Sequence, residues 1–306
     1  MIRELLLCII ISIYLLTANE MNAQKNDWRN YIEQMAEEDM DETTIENMFE
    51  ELSFLEQNPF NLNVVTREEL QRFPLISANQ ANAISDFLEK NRPVYTVFEL
   101  RNVYMLDFST VELILPFFYV GEMVQEKQPF KLDEIIKNSR HNLQVRFDKT
   151  LNKRAGYSDF SDSILANYPN RKYLGEDFYH SMKYSISYRD KFQVGIVGEK
   201  DAGEPFWQPN YKKGYDHYGF HIILRGVGKL KTLALGDYRL SFGQGLVLNN
   251  DFMLGKGFMS DNVVKQTTTP KRHFSTAESG YFRGAAGVIN IKNIDITMFY
   301  SFKSID

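Results

Sequence analysis

The chain has 306 residues, a formal net charge of −5, 25 % charged residues, 17 Tyr and 23 Phe. That length suggests about two domains, and the acidic balance argues against a generic nucleic-acid binder, whose footprint is normally basic. Cys8 is the single cysteine, so a chain that loses its first segment has no thiol for a disulfide, a zinc site or a nucleophile.

Arg3 and Glu4 lead into an apolar run over residues 5–18, then into small and polar residues ending Met21-Asn22-Ala23-Gln24. This is the layout of a secretory signal peptide over residues 1–24, with cleavage next to Ala23. A membrane anchor is the alternative, but fourteen residues fall short of the roughly 20 that span a bilayer as a helix.

Residues 25–58 read as acidic amphipathic helices. Between Glu37 and Glu56 there are nine acidic residues and no Lys or Arg, while Ile45, Met48, Phe49, Leu52 and Leu55 recur at helical spacing. Thr43 and Glu46 have capping-box spacing, and Pro59 should end the helix. The acidic face is expected to be solvated, and beside DNA it would repel phosphate.

Residues 59–121 continue the helical period with breaks. Thr66, Ser77, Thr96 and Ser109 are candidate caps for four short helices in two pairs, with Pro93 between the pairs and Pro116 at the end. Leu62, Val65, Leu70, Phe73, Ile76, Ala81, Ile84, Leu88, Phe98, Leu100, Val103, Leu106, Val111 and Leu115 form the expected shared core. The run Asn61-Leu62-Asn63-Val64-Val65-Thr66-Arg67-Glu68-Glu69-Leu70-Gln71-Arg72-Phe73-Pro74 resembles the opening of the tandem helix-hairpin-helix domain of ComEA-type competence DNA receptors. Pro93-Val94-Tyr95-Thr96-Val97-Phe98-Glu99-Leu100 is similar to the link between the hairpins of that family.

The resemblance implies nucleic-acid contact at the two hairpins, Leu75-Ile76-Ser77 and Met105-Leu106-Asp107. The family places glycines there, so that bare backbone N–H groups approach a phosphate. Both hairpins lack glycine here, and Asp107 adds a charge of the wrong sign. Residues 59–121 carry five basic groups (Arg67, Arg72, Lys90, Arg92, Arg101) and seven acidic ones, which is 5 − 7 = −2. Phosphate neutralisation dominates non-specific DNA affinity, so nucleic acid is a disfavoured partner and a structural or protein-contacting use is preferred.

Residues 122–141 read as a linker around polar, Pro129-containing residues 125–131. From residue 142 onward the period becomes two. Residues 142–147 are the first strand candidate. Tyr184-Ile186-Tyr188 and Phe192-Val194-Ile196 alternate with polar or small neighbours around an Asp190-Lys191 turn. Phe220-Ile222-Leu224, Thr232 through Phe242, and Ile294 through Phe302 continue the pattern. Such alternation suits strands that face lipid on one side and water on the other, or a soluble β-sandwich; export and aromatic load favour the first.

Residues 234–246, with Phe282-Arg283-Gly284-Ala285-Ala286, resemble the C-terminal region of longer bacterial envelope proteins that carry this helical module in front. The chain stops at Ser304-Ile305-Asp306, where a hairpin would turn, so a piece of a barrel with unpaired edges is expected.

Three constellations have residue types that chemistry could use. His217 and His221, beside Asp216, share one strand face but stand about 13 Å apart by strand rise, too far for one ion. Gly243-x-Gly245 has no helix after it and reads as a bend. Glu199, Asp201 and Glu204 form an acidic group, and a solvated loop accounts for it.

The expected fold class is therefore α+β, an N-terminal all-α tandem helix-hairpin-helix module followed by antiparallel β over residues 142–306, a partial outer-membrane-type barrel. The expected function is a non-enzymatic interaction or transport scaffold of the outer membrane, with the helical module in the periplasm. It touches the bilayer through the β region, contacts a protein partner, and has no metal or cofactor. DNA binding of the uptake type is the alternative.

Overall fold

A computed structural model describes residues 28–37, 42–123, 132–208, 211, 214–242, 247–250, 268–292 and 294–303. The expected signal peptide, residues 125–131 and Gly243-x-Gly245 lie outside the described residues.

Helix α1 (Trp28–Ala36) and helix α2 (Glu42–Gln57) open the chain. Their apolar spacing buries Trp28, Ile32, Met48, Leu52 and Leu55, and the Trp28 ring packs 5.2 Å from Phe49 and 6.1 Å from Phe117. Helix α3 (Arg67–Gln71) and helix α4 (Ala78–Asn91) follow, started by complete capping boxes at Thr66–Glu69 and Ser77–Gln80. In each box two otherwise unpaired backbone N–H groups find partners, contributing about 1 kcal/mol per cap. Thr96 caps the 3₁₀ turn Val97–Asn102 in the same way. Helix α5 (Phe108–Ile114) is capped by Asp107, which accepts from Thr110 N at 3.0 Å, and not by Ser109, whose hydroxyl instead donates to Asp107 at 2.6 Å.

The two-residue strands β1 (Phe60–Asn61) and β2 (Phe118–Tyr119) pair in parallel and clasp the module's ends. Buried Asn63 ties them to the link between the pairs, donating to Val94 O and Gly121 O and accepting from Val94 N. One core joins all these helices. Phe98 departs from the expected core, being 52 % exposed.

The expected linker over residues 122–141 holds helix α6 (Leu132–Asn138), and strand β3 begins earlier than expected, at Arg140. Asp133 and Glu134 in its first turn and Lys137 in its last complement the helix dipole. Polar composition alone concealed this helix. A short helix α7 (Asp162–Asn167) lies between β3 and β4.

The remainder is an antiparallel sheet of β3 (Arg140–Lys149), β4 (Phe178–Tyr188), β5 (Phe192–Lys200), β6 (His217–Val227), β7 (Leu230–Ser241), β9 (Phe282–Ile291) and β10 (Ile294–Ser301). The strand order is β10-β9-β7-β6-β5-β4-β3, and β8 (Thr268–Arg272) pairs with the end of β7. Among the described residues β3 and β10 remain edges, so the sheet is not closed into a barrel. Nor do these residues hold a second facing sheet of the kind a sandwich needs. At Gly236 (φ 85) an added Cβ would fall 2.3 Å from Phe220 O, so β7 bends there only with glycine.

Candidate functional site

Strand register sorts the side chains into two faces, since directly opposed residues point the same way. On one face stand Leu143, Val145, Phe147, Met182, Tyr184, Ile186, Val194, Ile196, Phe220, Ile222, Leu224, Leu233, Leu235, Ile289, Ile296, Met298 and Tyr300. Nearly all are exposed or only partly buried. The other face carries Gln144, Arg146, Ser181, Lys183, Ser185, Gln193, Glu199, His217, His221, Arg225 and Thr232. Most of its central members are buried. The sheet's own apolar core is small, centred on Ile223, Ala234, Tyr238, Leu240 and Ala286.

The helix that covers the polar face is α2, and it does so with its acidic side. Lys183 Nζ lies 2.8 Å from Glu46 Oε1 and 2.9 Å from Glu50 Oε1. Ser275 Oγ donates to Glu46 at 2.7 Å and Thr276 N at 3.2 Å. Arg272 donates to the Glu50 carbonyl at 3.2 Å and places its guanidinium 4.2 Å from the Phe54 ring. Further along, Lys231 meets Glu68 at 2.7 Å and Arg72 approaches Asp190 at 3.9 Å. Burial alone would raise the Glu46 carboxyl, but Lys183, Ser275 and Thr276 outweigh it and hold the group below its ordinary value. The acidic face, expected to be solvated, is thus a docking face. A cavity of about 30 Å³, enough for one or two waters, remains between α2 and the sheet beside Arg72, Asp190, Gln193, Arg225 and Arg272.

The hairpin residues singled out from sequence do other work. Leu75 and Ile76 are buried in the helical core, Ser77 is the cap of α4, and Leu106 packs partly against the same core. Met105 keeps a left-handed backbone (φ 78) without glycine, and Gln80 Nε2 donates to its carbonyl at 3.3 Å, so the two hairpins do meet. Hydrogen bonds from Ser109 and Thr110 hold the Asp107 carboxyl below its ordinary value, which keeps this tip anionic.

Four of the module's five basic groups, all but exposed Lys90, are engaged within the protein. Arg67 meets Asp86 at 2.6 Å and Glu89 at 3.4 Å, Arg101 meets Glu112 at 4.0 Å, and Arg92 donates to the Leu62 carbonyl at 3.0 Å. Little positive charge is left to displace counterions from a duplex. Titration of labelled duplex DNA with micromolar protein is therefore expected to give no salt-dependent binding. A shift at low salt that disappears in Arg67→Ala would restore the DNA reading.

His217 and His221 stand on the inner face of β6, where His217 opposes Glu199. Among the described residues no three His, Cys, Asp or Glu side chains are arranged to hold a metal. Glu204 caps its own loop, accepting from Asp201 N at 2.7 Å. No described helix is long and apolar enough to cross a membrane, which bears on helices and not on strands. No family model, curated protein or solved structure matches the chain.

Proposed function

We propose that the chain is a non-enzymatic scaffold of the outer membrane, whose sheet meets lipid with its apolar face and whose helical module lines the polar face. The observation that carries this reading is the reversed distribution of side chains. In a water-soluble sheet protein the apolar face is covered and the polar one is wet. Here the covered face holds Lys183, Gln193, His221 and Arg225 beside the small core of Ile223, Ala234 and Ala286, and the open face holds Leu143, Val145, Phe147, Ile296 and Met298, with Lys200 as a buried charge on it. An exposed apolar surface of this extent marks an interaction or membrane site, and apolar-out, polar-in alternation is the pattern of lipid-facing strands. Each such side chain gains about 1.5–3 kcal/mol on leaving water, which compensates for the sheet's small internal core. The apolar run at residues 5–18 supports export.

The test is to place single cysteines at Leu143 and Met298 on the open face and at Gln144 on the other, with an environment-sensitive fluorophore on each. After reconstitution into liposomes, the first two labels are expected to shift to the blue and resist aqueous iodide, and the third to remain quenchable. Recovery of a soluble monomer with all three labels quenched equally would overturn the reading.

A further inference from the structure

The second helical pair turns aromatic side chains outward. Tyr95 is 83 % exposed, Tyr104 86 %, Phe108 60 %, Phe98 52 % and Met105 50 %. The Arg101 guanidinium bridges two of them, 5.0 Å from the Phe98 ring and 4.9 Å from the Phe108 ring. The ion pairs that join the module to the sheet come from Glu46, Glu50, Glu68 and Arg72, in its earlier part.

Backbone strain accompanies this surface. Met105 sits at φ 78, a conformation that is costly for a side chain with a Cβ and free of cost for glycine. A half-exposed methionine held there adds a polarisable apolar group to the surface, and strained positions of this kind cluster at functional sites.

The composition and charge of the patch identify what fits it. Tyr, Phe, Met and Arg are the residues enriched at the centres of protein interfaces. Beside them in the chain stand the carboxylates of Glu99, which accepts from Tyr95 N and Thr96 N, Asp107, which accepts from Ser109 and Thr110, and Glu112, 4.0 Å from Arg101, three negative charges against that one guanidinium. That surplus of negative charge repels phosphate, whether in nucleic acid or in anionic headgroups.

We infer that this face docks an extended segment of another protein in which apolar residues, proline included, alternate with Lys or Arg. The aromatic faces accept flat apolar groups and the methylene stems of the basic side chains. The cationic heads reach Glu99, Asp107 and Glu112. This site stands on the second helical pair alone and does not depend on the membrane reading of the sheet.

The test is to select from a displayed random peptide library on the full chain, then measure the enriched peptides by fluorescence anisotropy. Enriched peptides are expected to combine apolar residues with Lys or Arg. Tyr104→Ala and Phe108→Ala should each weaken them about fivefold or more, and Glu112→Lys should weaken them as well. All three positions are exposed or partly so, and unchanged circular dichroism melts verify that the fold persists. Met105→Gly separates function from structure, because relief of strain should raise the melting temperature while peptide affinity falls. The proposal is overturned by failure to enrich any peptide, or by enriched peptides that bind the Tyr104→Ala/Phe108→Ala double variant equally well. It is also overturned if oligo-dT, phosphatidylglycerol vesicles or a second copy of the chain binds in a manner that depends on Tyr104 and Phe108 while the peptides do not.

Discussion

Replacing Lys183 with methionine is expected to destabilise the docked helical module by about 3–5 kcal/mol, the range for removing one partner of a buried ion pair. The side chain of Lys183 is 9 % exposed and lies between Glu46 at 27 % and Glu50 at 14 %. Without its ammonium, two carboxylates face each other against the sheet, and Glu46 keeps only the bonds from Ser275 and Thr276. The apolar stem of methionine preserves the packing, so the loss reports on charge.

Carrying Glu46→Leu and Glu50→Leu on the same background should restore most of the stability, since a well-packed apolar substitute for a buried ion cluster is often neutral or better. Urea unfolding of the full chain measures both. A Lys183→Met variant within about 0.5 kcal/mol of the parent, the range of ordinary surface substitutions, would mean that Glu46 and Glu50 are solvated and that α2 does not hold the module to the sheet.

This contact also marks where sequence reasoning ends. The caps at Thr66, Ser77 and Thr96 were legible because a capping box is complete within four residues. The strands around Tyr184, Val194, Ile222, Ala234 and Ile296 were legible because alternation is local. Ser109 is the cap that spacing suggests, and only geometry shows that Asp107 reaches Thr110 N while Ser109 spends its hydroxyl on Asp107. The partner of Glu46, by contrast, lies 137 residues away.

A period of two divides a strand into two faces without saying which is covered, and a helical period does the same for α2. The acidic face of α2 was visible, but its complement, Lys183 on the inner face of the sheet, appears only once the strand register is known. An α-helical stripe places Phe98 inward, but 3₁₀ geometry, at three residues per turn, moves it off that stripe and leaves it exposed. The chemistry of Met105 was legible in part. The absence of glycine at the hairpin is visible in the sequence, whereas the left-handed backbone that Met105 keeps there is not.

Acidification should undo the docked arrangement in two separable stages, and the first belongs to the buried histidines, His273 together with His221 and His217, all held below the ordinary imidazole value chiefly by burial. Burial, followed by the nearby Arg239 guanidinium, pushes the His273 imidazole down to about 3. The ring stacks on Tyr281 at 4.2 Å and meets the Ala277 carbonyl at 3.2 Å, with Glu46 and His217 also exerting their charge on it. The unfolded chain, with a histidine near 6.5, takes up the proton first.

Stability is therefore whole above about pH 6.5 and falls as the pH drops toward about 3, by up to about 1.4 kcal/mol per pH unit for one proton. Integrated over that window the loss is on the order of several kcal/mol. Glu46 acts in a lower window. Its carboxyl is held below the ordinary 4.5 in the folded state, so its contribution is present above that value and is lost only as the pH falls through the folded pKa.

His273→Gln retains a side-chain N–H for Ala277 and removes the titrating ring. It should make the stability profile shallower between about pH 6.5 and 4.5 by the share of one proton, leaving the shares of His221 and His217 and the decline below in place. Lys183→Met should do the reverse, weakening the lower stage and sparing the upper one. Urea midpoints collected at half-unit intervals of pH resolve the two. A parent chain whose midpoint stays constant from pH 7 to pH 5, or a His273→Gln profile that overlies the parent's, would show that His273 is hydrated and that the packing around Tyr281 and Arg239 does not exclude a proton.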